Sequence, residues 1–410
     1  MTAIIKFAAI ISIALICNTN FAQDRPLAPR ACQFSGQGFN VGISPLAMAI
    51  GDLNGDGNPD FASANEVNGT VSVVINNGNN TFQDQAIYSA GDGARAITLG
   101  VIDGDSDLDI ATANFDENTV SVLENLGNGL FADGVNFAAG SNTRGVDFGD
   151  FNGDGLLDLV TANAGSSDVS IFLNSGDGSL EPQVRFAAGP TARTVQTADL
   201  DNDGDLDLAV ANAAGNNISI LLNDGSASFG PPSNFNAGSA VRSVVIADVN
   251  NDQSLDLIVS NAASNGISVL LNNGDATFAN DVQFPSQGGA IFADVGDFDE
   301  DGDIDIAVAN SSTGDVAVLS NDGRGAFSEP KIYFSGGSPN AVVAADIDCD
   351  GRIDLATTNA VSNNIVIFKN IGKGNFLATA NLPTCDSPNS IVAADLNDCL
   401  LYTSPSPRDS

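Results

Sequence analysis

The stretch DLDNDGDLDLAVAN, residues 199–212, decides the fold because it joins a dense acidic cluster to a piece of core. Five aspartates fall within nine positions, and an apolar run follows at once. Carboxylates at that density repel one another, so a chain keeps such a cluster around a cation or in a loop screened by water. The rest of the sequence helps to decide between these two interpretations.

The same cluster recurs along the chain. Strong copies are GDLNGDGNPDFASAN, GDFNGDGLLDLVTAN and GDFDEDGDIDIAVAN, which begin at residues 51, 149 and 296, and weaker copies begin at residues 99, 247 and 345. The aspartates that close the seven acidic loops are 49 residues apart at every step: Asp60, Asp109, Asp158, Asp207, Asp256, Asp305 and Asp354. A fixed period of this length indicates a repeat architecture, so the chain of 410 residues is one array and not several unrelated domains.

Composition narrows the possible partners. The formal net charge is −37, and 28 of the 51 acidic residues lie in the seven nine-residue loops, so the acidity is concentrated in one loop type. This balance argues against nucleic acid as a partner, because phosphate would be repelled. The chain contains no histidine and no Cys-x-x-Cys pair, which argues against a zinc site.

The N-terminus has the pattern of an export signal. Lys6 precedes the apolar run FAAIISIALIC, and cleavage is expected after Ala22, so residues 1–22 are predicted to be a signal peptide and residues 23–38 a linker. The run is too short to span a bilayer, and a lipoprotein would need a small residue where Ile16 precedes Cys17. Cys32 and Cys385 could staple the ends of the array, but spacing alone does not fix a pairing.

Each repeat predicts four short strands. Segments such as TVSVVINNG (Thr70–Gly78) are rich in β-branched residues and stop at a tight turn, and no helical period occurs in the array. Four strands per repeat in seven copies predict an all-β fold, a β-propeller of four-stranded blades with seven complete blades, over residues 39–398. The alternative is a truncated eight-bladed propeller, because an eighth copy begins near residue 387. It breaks off into residues 399–410, a non-repeat tail that we expect is not native.

The loop motif D-x-[DN]-x-[DN]-G-x-x-D resembles that of the FG-GAP/VCBS repeat family, whose fold is shared with the integrin α-chain propeller. The resemblance implies one calcium ion in each intact loop, held by side chains at loop positions one, three, five and nine and a backbone carbonyl at seven. Calcium prefers such oxygen ligands. Up to seven ions are expected, and loops two and five are the weakest candidates. In loop two Val101 replaces the first acid and Ser106 the turn glycine, and in loop five Gln253 replaces that glycine. The implied ligands are Asp52, Asn54, Asp56 and Asp60; Asp103, Asp105 and Asp109; Asp150, Asn152, Asp154 and Asp158; Asp199, Asp201, Asp203 and Asp207; Asp248, Asn250, Asp252 and Asp256; Asp297, Asp299, Asp301 and Asp305; and Asp346, Asp348, Asp350 and Asp354.

These features favour a secreted or cell-surface binding or adhesion module for an extracellular glycan or protein, monomeric and without a membrane span. The alternatives are a structural spacer in a larger surface protein and a polysaccharide-degrading enzyme. We expect no enzyme, because the chain has no histidine and no Gly-x-Ser-x-Gly elbow, and the clustered aspartates are already assigned to metal.

One further pattern concerns arginine. Six residues before the start of each acidic loop, four consecutive repeats carry arginine, in a chain with only 14 basic residues: Arg95, Arg144, Arg193 and Arg242. In a propeller this position begins the innermost strand, so the hypothesis is an arc of guanidinium groups that binds an anionic ligand on the face opposite the metals. The alternative is that duplicated repeats share an arginine that merely offsets the acidic field.

Overall fold

The computed structural model describes residues 42, 44–77, 83–264, 266–347, 350–362, 364–383, 389 and 391. The predicted signal peptide, the linker, all five cysteines and the tail at 399–410 lie outside these residues. No helix that could cross a membrane is found in the part of the chain that is described.

The fold is all-β and consists of seven four-stranded antiparallel sheets, one per repeat, which confirms the seven predicted blades. In every blade the strands follow chain order from the innermost to the outermost. The strands of blades one to four are β1 Pro45–Gly51, β2 Asp60–Asn65, β3 Thr70–Val74 and β4 Ala86–Ser89; β5 Ala94–Gly100, β6 Asp109–Asn114, β7 Thr119–Leu123 and β8 Val135–Ala138; β9 Thr143–Gly149, β10 Asp158–Asn163, β11 Asp168–Phe172 and β12 Val184–Ala187; β13 Ala192–Ala198, β14 Asp207–Asn212, β15 Asn217–Leu221 and β16 Ser233–Asn236. Those of blades five to seven are β17 Val241–Ala247, β18 Asp256–Asn261, β19 Gly266–Leu270 and β20 Val282–Pro285; β21 Ala290–Gly296, β22 Asp305–Asn310, β23 Asp315–Leu319 and β24 Lys331–Phe334; β25 Pro339–Ala345, β26 Asp354–Asn359, β27 Asn364–Asn370 and β28 Phe376–Pro383.

The acidic loop of each repeat joins the first strand of its blade to the second. In blade three the pairing ends with Gly149 opposite Asp158, so residues 150–157 turn the chain at one end of the sheet. At the other end of the same pair, Thr143 lies opposite Asn163 and Gly145 lies opposite Ala162. Arg144 is therefore the extra residue of a β-bulge, a local feature that bends a strand and redirects a side chain.

The core lies between blades. The second strand of every blade is buried along its whole length, and each large apolar cluster joins residues of two consecutive blades. An aromatic residue on the outer strand of one blade packs edge-to-face on a phenylalanine of the next, as Phe235 does on Phe278 with ring centroids 5.1 Å apart. Contacts between neighbouring first strands run from β1 through β25. The blades therefore stack through apolar faces, as in a propeller.

The small residue before each acidic loop is explained by this stacking. A Cβ atom on Gly149 would lie 3.0 Å from Leu206 of the next blade and 2.9 Å from Phe151. Past blade seven, Ile391 is buried and Asn340 Nδ2 donates to Asn389 Oδ1 at 2.6 Å, one 49-residue period along the chain. The described residues thus begin to continue the repeat, and the eight-bladed alternative stays a prediction.

Candidate metal centres

Six of the seven acidic loops share one backbone arrangement around the acid at position one. In loop three, Asp150 Oδ1 accepts the N–H groups of Gly153 at 2.8 Å and Asp154 at 3.2 Å, and Asp150 Oδ2 accepts that of Gly155 at 2.9 Å. Loops one, four, five, six and seven repeat most of these bonds. In these six loops the chain thus wraps around the carboxylate at position one.

The closing aspartate holds the loop to the blade. Asp158 is fully buried; its Oδ2 accepts the N–H of Phe151 at 3.0 Å and its Oδ1 accepts that of Asn174 at 2.9 Å. The equivalent two bonds form at all seven closing aspartates. Because a carboxylate offers about four lone pairs, these bonds leave capacity for a cation.

Burial makes these closing carboxylates costly to ionise. It raises the pKa of Asp60, Asp109, Asp158 and Asp207 to about 6 and that of Asp256 and Asp305 to about 7. The backbone N–H groups lower each pKa, and the other acids of the same loop raise it again. A bound divalent cation would supply the positive charge that these sites lack.

Loops four and six form the densest oxygen clusters. Oxygen atoms of Asp199, Asp201 and Asp207 lie within 4.8 Å of one another, as do those of Asp297, Asp299 and Asp305. Asp299 Oδ1 is buried and has no hydrogen-bond partner. Burial and the neighbouring Asp301 raise the pKa of Asp299. Both clusters could hold a metal ion, and an orphaned buried carboxylate oxygen fits a hard cation such as calcium.

The remaining loops vary in what they offer a cation. In loop one Asn54 Oδ1 accepts the N–H of Asp56 at 2.9 Å, and its Nδ2 donates to Asp56 Oδ2 at 3.0 Å. Loop five forms the same turn although Gln253 replaces glycine there at a φ of 75°, a left-handed conformation that costs a side chain about 1–2 kcal/mol. In loop seven Asp348 lies outside the described residues. Arg352 and Lys369 contact Asp350 at 3.3 and 3.0 Å, so basic groups would compete there with a cation.

Loop two departs from the shared arrangement. Val101 offers no carboxylate, so N–H groups turn instead to the acids further along: Asp105 N–H donates to Asp103 Oδ1 at 3.1 Å. Ser106 stands at a φ of 131°, where glycine is favoured. Asp109 nevertheless keeps both of its backbone bonds. Loop two therefore retains the structural clamp but not the ligand set.

An asparagine follows each closing aspartate by 16 residues, in the Asn-x-Gly turn, and the sequence did not reveal its link to the preceding blade. Asn174 Nδ2 donates to the backbone oxygen of Ile102 in the preceding blade at 2.7 Å and to that of Leu157 at 3.1 Å. Six such links span 72 residues each, from Asn125, Asn174, Asn223, Asn272, Asn321 and Asn370. The residue that accepts is position two of the preceding acidic loop. The presence of asparagine at this place in all seven repeats was the available signal.

The FG-GAP-like repeat model matches the chain six times in overlapping segments, at residues 52–112, 102–161, 151–210, 199–259, 252–308 and 297–357. The chain belongs to the FG-GAP-like repeat family. The matched segments start at or near the acidic loops described above, which confirms the resemblance given by the loop motif. No curated protein is similar enough in sequence to this FG-GAP-like chain to count as a relative.

Solved structures share the fold of the FG-GAP-like chain. A lectin from Agrocybe aegerita that recognises non-reducing terminal N-acetylglucosamine is 24% identical with a TM-score of 0.52, over 77% of this chain and 86% of the lectin chain. A candidate 6-phosphogluconolactonase from Bacteroides fragilis is 14% identical with a TM-score of 0.57, over 84% and 97%. A protein from Lactobacillus plantarum is 12% identical with a TM-score of 0.55, over 83% and 96%. At these identities the similarity concerns the fold alone.

The four arginines of the FG-GAP-like chain lie at equivalent places, each on the bulge residue of its first strand. Arg95 is not free: its Nη2 lies 2.6 Å from Glu66 Oε1, and its Cζ lies 3.7 Å from the centre of the Phe115 ring. Arg144 lies near the same ring, with Cζ 5.9 Å from its centre. Among the described residues, Arg144, Arg193 and Arg242 have no carboxylate partner. The structure thus brings the predicted row together, with one member already paired.

Proposed function

We propose that the protein is a secreted, calcium-stabilised β-propeller that acts as a binding or adhesion module for an extracellular glycan or protein. The observation that carries the calcium part is the cluster of loop six, where three carboxylates converge and one buried oxygen has no partner. Secretion is proposed from the predicted signal at residues 1–22.

Calcium would be held by the acids and asparagines at positions one, three, five and nine of each intact loop. When bound, it would neutralise carboxylates that repel one another. The protein's own contribution is to hold those carboxylates: backbone N–H groups fix the acid at position one, and the buried closing aspartate ties the loop to the second strand and to the turn beyond the third. Because the ligands come from the connection between two strands of a blade, metal binding is linked to the folding of that blade.

We expect occupancy to differ between loops. Loops four and six offer the most converging carboxylates, and loops one, three and five offer an amide oxygen at position three. Loop seven has basic neighbours at Asp350, and loop two lacks the first ligand. Isothermal titration of the chelated protein with calcium is the test. Strong sites that disappear on Asp299→Ala but persist on Asp105→Ala would support the proposal, and a chain that binds no calcium would overturn it.

Binding is supported by the form of the molecule. A rigid stack of blades presents loops and strand ends as two broad faces, and the lectin of similar fold recognises a terminal sugar. A glycan and matrix-protein array, probed with the calcium-loaded protein, tests this part, and the absence of any ligand would favour the spacer alternative. We propose no catalytic role. Degradation of acidic or neutral polysaccharides by the pure protein would contradict that.

A further inference from the structure

The end of the first strands that lies opposite the acidic loops carries a row of arginine side chains, each on a β-bulge. In every blade the bulge residue of the first strand occupies this place, and only blades two to five put arginine there; the others have Leu46, Ile291 and Asn340. Because the bulge itself is present in all seven blades, it belongs to the scaffold. Arginine at the bulge position is a separate feature, which occurs in four consecutive blades.

One residue of the preceding blade lies beside each arginine of the row, and its type determines whether that arginine is already in contact with another side chain. The residue 29 positions upstream lies on the preceding blade, at the turn after the second strand. It is Glu66 for Arg95 and Phe115 for Arg144, and both contacts are seen. For Arg193 and Arg242 the corresponding residues are Ala164 and Ala213. The backbone of this turn is the same in each case, because its N–H donates to the residue 22 positions earlier, at 3.0 Å for both alanines. Beside Arg193 and Arg242, a methyl group therefore replaces the acid or the aromatic ring.

The guanidinium groups are close enough to act on one another. The pKa of Arg144 is lowered to about 10, mainly by burial, with the charges of Arg95 and Arg242 acting in the same direction and that of Glu66 opposing them. Burial likewise lowers the pKa of Arg193 to about 9, with Arg144, Arg242 and Arg95 acting in the same direction. Grouping half-buried cations costs free energy unless an anion joins them.

The alternative, that these arginines offset the acidic loops, does not match the distances. Six strand residues separate Arg144 from Asp150, which is about 20 Å at 3.3 Å per residue. The Debye length at physiological salt is about 8 Å, so the acidic loops and the arginine row are more than two screening lengths apart through solvent. An arginine placed to neutralise the loops would lie beside them, as Arg352 does beside Asp350.

We propose that Arg144, Arg193 and Arg242 bind the sulfate or carboxylate groups of an acidic polysaccharide, with Arg95 fixed by Glu66 and Phe115 at one end of the row. The guanidinium fork suits both oxyanions because it can bind them in a bidentate manner. A row of cations on consecutive blades matches a ligand that carries an anion on successive sugars. This rests on the proposed binding function and adds the chemical class of the ligand.

The experiment measures retention of the full-length, calcium-loaded protein on immobilised heparin, polygalacturonate, neutral dextran and poly-aspartate. The test variant is Arg193→Gln/Arg242→Gln, and the matched control is Arg185→Gln/Arg324→Gln, which removes the same charge from an outer strand and an exposed loop. We expect the test variant to bind heparin or polygalacturonate about 100-fold more weakly, at about 10-fold per lost bidentate contact. The control should bind like wild type, and both should keep calcium-dependent melting.

Other outcomes are distinguishable. Equal binding by wild type and the test variant, or binding of wild type to neutral glycans only, would overturn the arginine row and leave the proposed binding function intact. Retention on poly-aspartate alone would replace the polysaccharide by an acidic protein segment. If neither these four surfaces nor a glycan and matrix-protein array retain the wild type, both the row and the binding function are wrong. Arg193→Lys/Arg242→Lys, which keeps the charge but loses the fork, should recover only part of the affinity.

Discussion

The closing aspartates allow the contribution of a bound metal to the free energy of unfolding to be separated from that of the backbone hydrogen bonds. Asp109 in loop two and Asp207 in loop four make the same two backbone bonds, at 2.9 and 2.8 Å for Asp109 and at 3.0 and 2.9 Å for Asp207. Both are fully buried, and burial raises the pKa of both to about 6. Their loops differ in the ligand set, because only loop four has three converging carboxylates. Asp109→Asn and Asp207→Asn are therefore a matched pair.

Without calcium, two terms oppose each other in both variants. Asparagine keeps one acceptor oxygen but turns an amide toward the second N–H, which costs about 1–3 kcal/mol. The substitution also removes a carboxylate whose ionisation in the fold costs a similar amount at neutral pH, at about 1.4 kcal/mol per pKa unit. The net change in the free energy of unfolding should lie within about 1 kcal/mol of zero and be equal for the two variants.

With calcium the pair should separate. A ligand at 100 times its dissociation constant stabilises the fold by about 2.7 kcal/mol, and only Asp207→Asn should lose this term. The assay is urea unfolding in chelator and in calcium, together with the number of ions bound by titration. Asp207→Asn should bind one ion fewer than wild type, and Asp109→Asn the same number. An equal loss of the calcium increment in both variants, or in neither, would refute the assignment of loops two and four.

Three further outcomes are expected. Asn223→Ala removes a buried link from blade four to the backbone oxygen of Phe151, at 2.8 Å, and should destabilise the fold by about 1–3 kcal/mol in urea unfolding; a change below about 0.5 kcal/mol would contradict a structural role. The chelated protein should melt at a lower temperature at pH 8 than at pH 5. An aspartate whose pKa is raised in the fold stabilises it fully below about pH 4, and this stabilisation is lost as the pH rises through 6 to 7. Calcium should reverse the order of the two melting temperatures. Asp147→Asn should stabilise the fold at pH 8 more than at pH 5, because burial raises the pKa of Asp147 to about 7 and the amide can still bond Phe148 N–H and the Thr197 hydroxyl; an effect independent of pH would contradict this.

The parts of the fold that repeat at short range were predictable from sequence. The 49-residue period and the strand that ends at Asn-x-Gly are local patterns that recur in all seven repeats. The glycine turn of the acidic loop is also local, and it occurs in five of the seven loops, with Ser106 and Gln253 in the other two. The position of the arginines could also be predicted, because register along a strand follows from the period. The pairing of Arg95 with Glu66 could not, since it joins two blades through residues that differ from copy to copy.

The role of the closing aspartate shows a second limit. Sequence motifs assign it to calcium, yet it makes the same backbone bonds in loop two, where the ligand set is incomplete. A sequence motif shows that the aspartate is present, but it does not show that the same carboxylate can both bind a cation and accept two backbone hydrogen bonds. The two N–H donors, from Ile102 and Asn125, are backbone groups, so these hydrogen bonds cannot be inferred from the types of the donor residues.

The asparagine links give the stack a direction. Each acidic loop has its position-two N–H held by its own blade. In loops one to six, the oxygen of the same residue is bound by an asparagine of the next blade along the chain. A loop is therefore fully secured only after the following repeat has been synthesised and has folded against it. A ribosome releases the repeats in that order, so a loop that binds a cation would be completed only after the next repeat has emerged. A substitution at Asn223 would consequently weaken cation capture in loop three, one blade away from where it was made.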